Sequence, residues 1–158
     1  MYRLTFLVLI ALLIAACSEP PSSEPTTLNY SPSTVDRAIA FAPGTISTET
    51  NSEFDIMFSP DGKKAYFSRR APGGKQKIYQ TTFMNNAWTA PSLCPFSSDR
   101  DEAASITPNG KLFFFGSERP IPGRPNKGGF DMNVWMMKKK ENGWSTPEAL
   151  PAPINAVQ

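Results

Sequence analysis

The chain contains no histidine among its 158 residues. Histidine is the usual general base of hydrolytic enzymes, the commonest zinc ligand and a member of the Ser-His-Asp arrangement. Its absence excludes the most frequent form of each of these sites. We therefore predict no cofactor, and at most weak calcium binding by clusters of acidic side chains.

The chain also has few cysteines, a small net charge and little helical patterning. Cys17 and Cys94 are the only thiols, so no disulfide framework is expected, and Cys94 is predicted to be a buried free thiol. The formal net charge of +2 does not provide the strongly basic face that nucleic-acid binding requires. No segment beyond the first 16 residues has sustained helical spacing, and prolines interrupt most windows.

The N-terminal segment is typical of an export signal. Arg3 precedes an apolar run over residues 4–13, which suits the core of a signal peptide and is too short to cross a bilayer. The run ends in Ile14-Ala15-Ala16-Cys17, which resembles the bacterial lipobox. This resemblance implies that residues 1–16 are a lipoprotein signal peptide and that Cys17 carries lipid. The alternative is an ordinary signal peptide cleaved elsewhere, with no role for Cys17.

Residues 17–37 are predicted to be a lipidated cysteine followed by a disordered tether. The segment is rich in Pro, Ser, Thr and Glu, and it has too little apolar surface to bury a core. Acyl chains on Cys17 would hold the protein to a bilayer, because each buried methylene contributes roughly 0.8 kcal/mol. We expect an extracytoplasmic location. Ser18 after the cysteine favours the outer membrane and leaves the membrane face open.

The remaining chain repeats itself, and such repeats indicate the architecture. Residues 53–69 match residues 101–117 at an offset of 48, which aligns Pro60-Asp61-Gly62 with Pro108-Asn109-Gly110. Residues 88–93 match residues 144–150, and the two tryptophans that open these segments are 56 positions apart. The eight extra residues of the second unit fall in the Pro/Gly-rich segment 120–129, where a surface loop tolerates insertion.

Each unit is predicted to form four short strands. In the first unit, β-branched and aromatic runs at 56–58, 65–68 and 77–82, and a short run near Trp88, are separated by turn residues. In the Pro-Asp-Gly and Pro-Asn-Gly motifs, proline presets φ and glycine takes the left-handed position of a bulged hairpin. The pattern predicts an all-β protein with two four-stranded antiparallel sheets.

These repeats resemble the β-propeller repeats of the TolB type, a WD-repeat-like family marked by Ser-Pro-Asp-Gly-Lys before an aromatic strand. The resemblance implies a partial β-propeller over residues 38–158, with one blade at about 50–98 and a second at about 99–155. Asn109 replaces the family's aspartate in the second unit. The first unit also lacks the Gly-x-Asp that precedes the third strand.

Two blades are too few to close a propeller, which needs four or more. We therefore expect either an N-terminal fragment of a longer propeller or the assembly of several two-blade chains into a ring. An open blade would expose apolar surface and strand edges, and self-association through these edges is a predicted consequence.

Arg119 and Asp131 lie in a pairing of Ser-Glu-Arg with Gly-Gly-Phe-Asp that recurs in the family. A guanidinium binds a carboxylate bidentately, so we predict a structural clamp between Arg119 and Asp131. The functional alternative is a ligand contact at the top of the propeller.

Catalysis has little support in the sequence. Glycoside hydrolysis needs two carboxylates facing each other across a cleft. The candidates are Glu53, Asp55, Asp61, Asp99, Asp101, Glu102 and Asp131. Asp61 is predicted to cap a turn instead, and the Asp-box of the propeller-type sialidases is absent.

The remaining conspicuous residues are interpreted as structural. Trp88, Trp135 and Trp144 are expected to pack between the blades, and the lysines at 138–140 to lie at a solvated hairpin end. We therefore expect a non-catalytic scaffold anchored in the cell envelope, which binds envelope proteins or glycans. The alternative is a fragment of a glycan-active enzyme of propeller form.

Overall fold

The computed structural model describes residues 36–125 and 130–156. The predicted signal peptide, Cys17 and most of the predicted tether lie outside these residues. The described part of the chain contains only strands, turns and irregular segments, so no helix in it could span a membrane. There are ten strands: β1 Ser52–Phe58, β2 Lys64–Arg70, β3 Lys77–Met84, β4 Ala87–Trp88, β5 Ser92–Leu93, β6 Asp101–Ile106, β7 Leu112–Ser117, β8 Asn133–Lys140, β9 Gly143–Trp144 and β10 Glu148–Ala149.

The first sheet is antiparallel and has four strand positions. Strands β1, β2 and β3 follow one another, and the fourth position is shared by β4 and β5, both of which pair with β3. Pro91 lies between β4 and β5. Because proline has no N–H to donate, the edge ladder is interrupted there.

The second sheet has the same construction. Strands β6, β7 and β8 are consecutive, and β9 and β10 share the fourth position beside β8, with Pro147 between them. The predicted fold class is therefore confirmed: the described chain is all-β and forms two four-stranded antiparallel sheets, consistent with incomplete propeller blades.

The hairpin between the first two strands of each sheet has the predicted geometry. Gly62 (φ 66°) and Gly110 (φ 68°) adopt the left-handed conformation, which glycine enters at little cost. In both turns the glycine N–H donates to the carbonyl of the first turn residue, at 2.8 Å. The reversal after β3 uses Asn85 and Asn86, both with positive φ, as a two-residue primed turn requires.

The first strand of each sheet contains a bulge at the equivalent position. Asp55 (φ 52°) and Ala103 (φ 56°) interrupt the register with the neighbouring strand. A bulge bends a strand and increases its twist. The two sheets therefore share the same bend as well as the same strand order.

One apolar core joins the two sheets. The rings of Tyr66 and Phe113 meet edge to face at a centroid distance of 5.1 Å, and Phe96 packs 5.2 Å from Phe113. The Ala103 N–H donates to Ser68 Oγ at 3.3 Å across the junction. The buried members of this core come from both sheets and from the segment between them: Tyr66, Ile78, Cys94, Ala104, Phe113, Phe115, Trp135 and Met137.

The segment over residues 41–48 covers the opposite face of the first sheet. Ile46 is buried, and the Phe41 ring lies 5.8 Å from Phe58 and 6.1 Å from Trp88. Arg69 Nη2 donates to the carbonyls of Thr45 and Ile46, each at 3.0 Å. The first sheet is therefore covered on both faces.

Candidate functional site

The residues of the two turn motifs form a repeated structural device. Asp61 Oδ1 accepts a bond from the Lys63 N–H at 3.1 Å and another from the Ser59 hydroxyl. The bond from Ser59 is the main reason that the pKa of Asp61 lies below its usual value. Asn109 Oδ1 makes the corresponding contacts in the second turn, with the Lys111 N–H at 3.0 Å and Thr107 Oγ1 at 2.7 Å. The carboxamide of Asn109 therefore stabilises the second turn with the same pattern of hydrogen bonds that the carboxylate of Asp61 makes in the first.

The predicted clamp between Arg119 and Asp131 is wrong in its pairing. Arg119 Nη2 lies 2.9 Å from Asp101 Oδ1 and 2.9 Å from the Phe96 carbonyl, while its Nε donates to Ser117 Oγ at 2.9 Å. Asp101 is fully buried, so its charge needs a cationic partner nearby. Arg119 fills this role for the carboxylate at the start of β6.

Asp131 has a different arginine. Arg124 Nη2 contacts both carboxylate oxygens, at 3.1 and 2.9 Å, and Asn133 Nδ2 adds a contact to Oδ1 at 3.3 Å. Arg124 is seven residues from Asp131 in the chain. Gly128 and Gly129, which the prediction included, lie outside the described residues.

Asp101 also holds the segment that connects the sheets. Its Oδ2 accepts bonds from Ser97 Oγ at 3.0 Å, the Ser98 N–H at 2.8 Å and the Asp99 N–H at 3.3 Å. Asn155 has the equivalent role after the second sheet. Its Oδ1 accepts a bond from the Val134 N–H at 2.8 Å, and in the first sheet Ser97 Oγ accepts the corresponding bond from the Ile78 N–H at 3.0 Å. Both connections are therefore fixed by polar side chains.

A charged network surrounds this connection on the surface. Lys75 Nζ lies 2.7 Å from Asp99 and 3.4 Å from Glu118, and Arg100 lies 3.3 Å from Glu102 and 3.7 Å from Glu118. The contact with Lys75 lowers the pKa of Asp99, and the same contact raises the pKa of Lys75. The network is partly solvated, and each of its pairs contributes little to stability.

Most of the carboxylates considered for hydrolysis are used structurally. Five of the seven form ion pairs: Glu53 with Arg69, Asp99 with Lys75, Asp101 with Arg119, Glu102 with Arg100, and Asp131 with Arg124. Asp61 bonds within its turn. Among residues 36–125 and 130–156, no group of three or more Cys, Asp or Glu side chains could hold a metal ion.

An open groove lies between the two sheets, at the end that carries the turn motifs. Its volume is about 350 Å³, and an adjoining hollow of about 260 Å³ continues it toward the turns. We call it the inter-sheet groove. Its main lining residues are Lys64, Tyr66, Gln80, Phe96, Met137, Lys139, Asn142 and Trp144.

The floor of the inter-sheet groove is aromatic and its sides are cationic or amide-bearing. Burial raises the pKa of Tyr66, and a hydrogen bond with Trp144 opposes this effect. Lys139 Nζ lies 5.0 Å from the centroid of the Trp144 ring, in a cation–π contact. Trp144 in turn packs edge to face on Phe113, at 5.2 Å. Both aromatic residues are thus held by the core, which preorganises this surface.

The inter-sheet groove is not predicted by the repeats, because several of its polar lining residues are ones that the two units do not share. Lys64, Gln80 and Lys139 differ from the residues at the equivalent positions of the other unit. Those differences are the signal that could have found the groove. Only the packing of the two sheets brings the three positions together.

The other residues singled out in the sequence have structural positions. Trp135 is buried in the shared core between the sheets, with the Arg119 guanidinium 5.3 Å from its ring. The predicted position of Trp88 between the blades is wrong, because Trp88 packs against Phe58 and Phe83 on the far face of the first sheet. Cys94 is fully buried, as predicted, and burial raises the pKa of its thiol to about 12. The side chains at 138–140 are exposed, as expected for the end of a hairpin.

Comparison with known proteins adds no relative: no family model, no curated protein and no solved structure matches the chain. The likeness to TolB-type repeats therefore rests on the repeat residues themselves.

Proposed function

We propose that this protein is a lipid-anchored binding protein of the cell envelope, in which the inter-sheet groove receives a ligand without chemical conversion. The observation that carries the proposal is the groove itself. It is walled by two sheets that share one core, and aromatic, amide and ammonium groups line it. Pockets of this kind, apolar with a few polar groups, are the usual form of a binding site.

Binding is favoured over hydrolysis by the acidic groups that the groove offers. Among the described residues that line the groove and its adjoining hollow, Asp61 is the single carboxylate. Its Oδ1 is bonded to the turn. An acid and base pair for glycoside cleavage needs two carboxylates on opposite sides of the ligand. The geometry therefore supports a scaffold that holds a ligand.

The anchor is proposed from the lipobox-like residues at the N-terminus. Cells that express the protein should incorporate a fatty acid bearing an alkyne tag into it, and Cys17→Ser should abolish the label. The same substitution should release the protein from the membrane fraction, because acyl chains supply the attachment. A labelled Cys17→Ser protein, or an unlabelled wild-type protein, would contradict the anchor.

The binding role can be tested with a glycan array combined with a turnover assay. Gln80→Trp fills the inter-sheet groove, and Met136→Trp places the same ring at the equivalent position of the second sheet, which does not line the groove. We expect the wild type and Met136→Trp to retain the same glycans without hydrolysing them, and Gln80→Trp to lose them. Hydrolysis of a retained glycan would favour the enzyme alternative, and an empty array would contradict the proposal.

A further inference from the structure

We propose that the ligand of the inter-sheet groove is a sugar that carries a carboxylate, such as a hexuronic acid unit of an acidic glycan. This inference rests on the proposed binding function and adds the chemical class of the ligand. Three observations lead to it: the charge of the groove, the comparison between the two repeats, and the mixture of apolar and amide groups.

The groove has an excess of positive charge. Lys64 lines one wall and Lys139 the other, and within residues 36–125 and 130–156 neither lysine forms an ion pair. Asp61 lines the adjoining hollow, and the charge of Lys63 contributes to lowering its pKa. Two ammonium groups that converge on one groove favour an anion there.

Three polar residues of the lining are not required by the fold, because the other repeat has apolar residues at the same positions. Lys64 corresponds to Leu112. Lys64 pairs with Thr82 and Leu112 pairs with Lys138, and these two partners are themselves equivalent at the offset of 56. At the offset of 56, Gln80 corresponds to Met136 and Lys139 to Phe83. Lys64, Gln80 and Lys139 thus replace apolar side chains in an otherwise equivalent sheet, whereas Asn142 and Ser145 have polar counterparts, Asn86 and Thr89.

The far face of the first sheet shows what an apolar version of this groove looks like. Phe83, the counterpart of Lys139, lies 5.1 Å from Trp88, which is the counterpart of Trp144. Phe41 closes the cluster at 6.1 Å from Trp88. The aromatic rings fill this face, whereas Lys139 leaves the corresponding space between the sheets open.

The size and the remaining groups of the groove suit a sugar. A volume of about 350 Å³ lies at the lower end of the range of about 300–1,000 Å³ that is typical of small-molecule sites. Phe96 and Trp144, both half-buried, provide an apolar surface for the C–H face of a pyranose ring. The amides of Gln80 and Asn142 both donate and accept hydrogen bonds, as hydroxyl groups require.

The charge requirement can be isolated with a β-1,4-linked glucuronate trisaccharide and cellotriose, which differ only in oxidation at C6. Both would be titrated by calorimetry into the full chain, purified in a detergent without a sugar headgroup. We expect the acidic trisaccharide to bind more tightly than cellotriose by a factor of about ten or more, and its affinity to fall as salt increases.

Substitutions that remove one charge each provide the variants. Lys64→Leu, which takes the residue of the other repeat, and Lys139→Met, which adds no ring to the groove, should each weaken binding of the acidic trisaccharide about tenfold and weaken binding of cellotriose much less. Leucine occurs at the equivalent position of the other sheet, so the fold should tolerate Lys64→Leu, and the melting temperature checks both variants. Lys140→Met removes the same charge outside the lining and should change binding less than twofold.

Equal affinity for the two trisaccharides, or unchanged binding of the acidic trisaccharide in Lys64→Leu and Lys139→Met, would overturn the inference. Equally tight binding of a hexaglutamate peptide or of inorganic phosphate would overturn the sugar class. If only the charge preference fails while Gln80→Trp still abolishes glycan binding, the proposed function stands without this inference. If no glycan is retained at all, the proposed function itself fails.

Discussion

A carboxylate held by arginine occurs at the start of each sheet: Glu53 is partly buried, and Asp101 is fully buried. Glu53 is bound by Arg69 at 3.0 Å, and Asp101 by Arg119 at 2.9 Å. In both cases the same arginine also binds backbone carbonyls of the incoming segment, those of Thr45 and Ile46 or that of Phe96. The ion pair thus fixes the entry of the chain into the sheet.

Arg119→Ala should destabilise the protein by about 3–5 kcal/mol, because it leaves the charge of fully buried Asp101 without its partner. Urea unfolding followed by circular dichroism measures the change. Arg124→Ala is the matched control: its partner Asp131 has a side chain that is 21% exposed, so water can take over part of the interaction. We expect a smaller loss there. Equal losses would contradict this account of Asp101.

Asp61→Asn should be nearly neutral at pH 7, within about 0.5 kcal/mol, because Asn109 makes the corresponding contacts in the second turn. The pKa of Asp61 is lowered in the folded state. Its stabilising contribution is therefore present above the unfolded pKa of about 3.9 and is lost as the pH falls through the folded pKa. The variant should lose less stability than the wild type between pH 5 and pH 2.

Thermal melts across that pH range compare the two proteins. Asp99→Asn provides a contrast, since its carboxylate is paired with Lys75 and an amide would not replace that charge. An Asp61→Asn curve that parallels the wild type throughout would show that the turn does not depend on ionised Asp61.

At the scale of elements, local sequence specified most of the strands and turns. The motifs at 60–62 and 108–110 form the predicted bulged turns, and the strands predicted at 56–58, 65–68 and 77–82 all lie within β1, β2 and β3. These features depend on neighbours in sequence, namely alternation along a strand and the φ preferences of proline and glycine. The strands and turns can therefore be predicted from the residues that form them.

Gly110→Ala should cost about 1–2 kcal/mol, because alanine pays a steric penalty at a φ of +68°. A Cβ there would stand 3.6 Å from Pro60 Cγ, an ordinary contact, so backbone strain is the main cost. Gly110→Asn should cost less, since asparagine enters the left-handed region more easily. Chemical denaturation should rank the stabilities as wild type, Gly110→Asn, then Gly110→Ala. A reversed order of the two variants would argue against strain.

At the scale of the whole molecule, the two sheets depend on one another. Phe113 is fully buried at the junction, where it meets Tyr66 of the first sheet and Trp144 of the second. The core between the sheets is one cluster with members from both, while Ile46, Ala65 and Phe67 are buried on the far face of the first sheet. We therefore expect a single cooperative unfolding transition with both sheets melting together.

Phe113→Ala should lower stability by about 3–5 kcal/mol. Phe114→Ala, one residue further along β7, removes a side chain that is only partly buried, and should cost markedly less. Calorimetry and tryptophan fluorescence measure both the size and the number of transitions. Similar losses for the two variants, or two separate transitions in the wild type, would contradict a shared core.

The identity of the arginine partners was decided by tertiary structure. Arg119 and Asp131 each form an ion pair, yet each has a different partner from the predicted one. Asp101 lies near Arg119 because β6 and β7 pair, whereas Arg124 lies outside the strands and still contacts Asp131. Neither contact follows from spacing in sequence, since each depends on where the fold places a long side chain.

By itself, the sequence determined the β class, the two repeats, their turns and the buried free thiol of Cys94, because each of these depends on composition or on near neighbours. The tertiary structure alone decided which charges meet and where the inter-sheet groove opens. Lys64 and Lys139 lie 75 positions apart in the chain, on different sheets. They line one groove only because the core residues around Tyr66 and Phe113 pack the two sheets against each other.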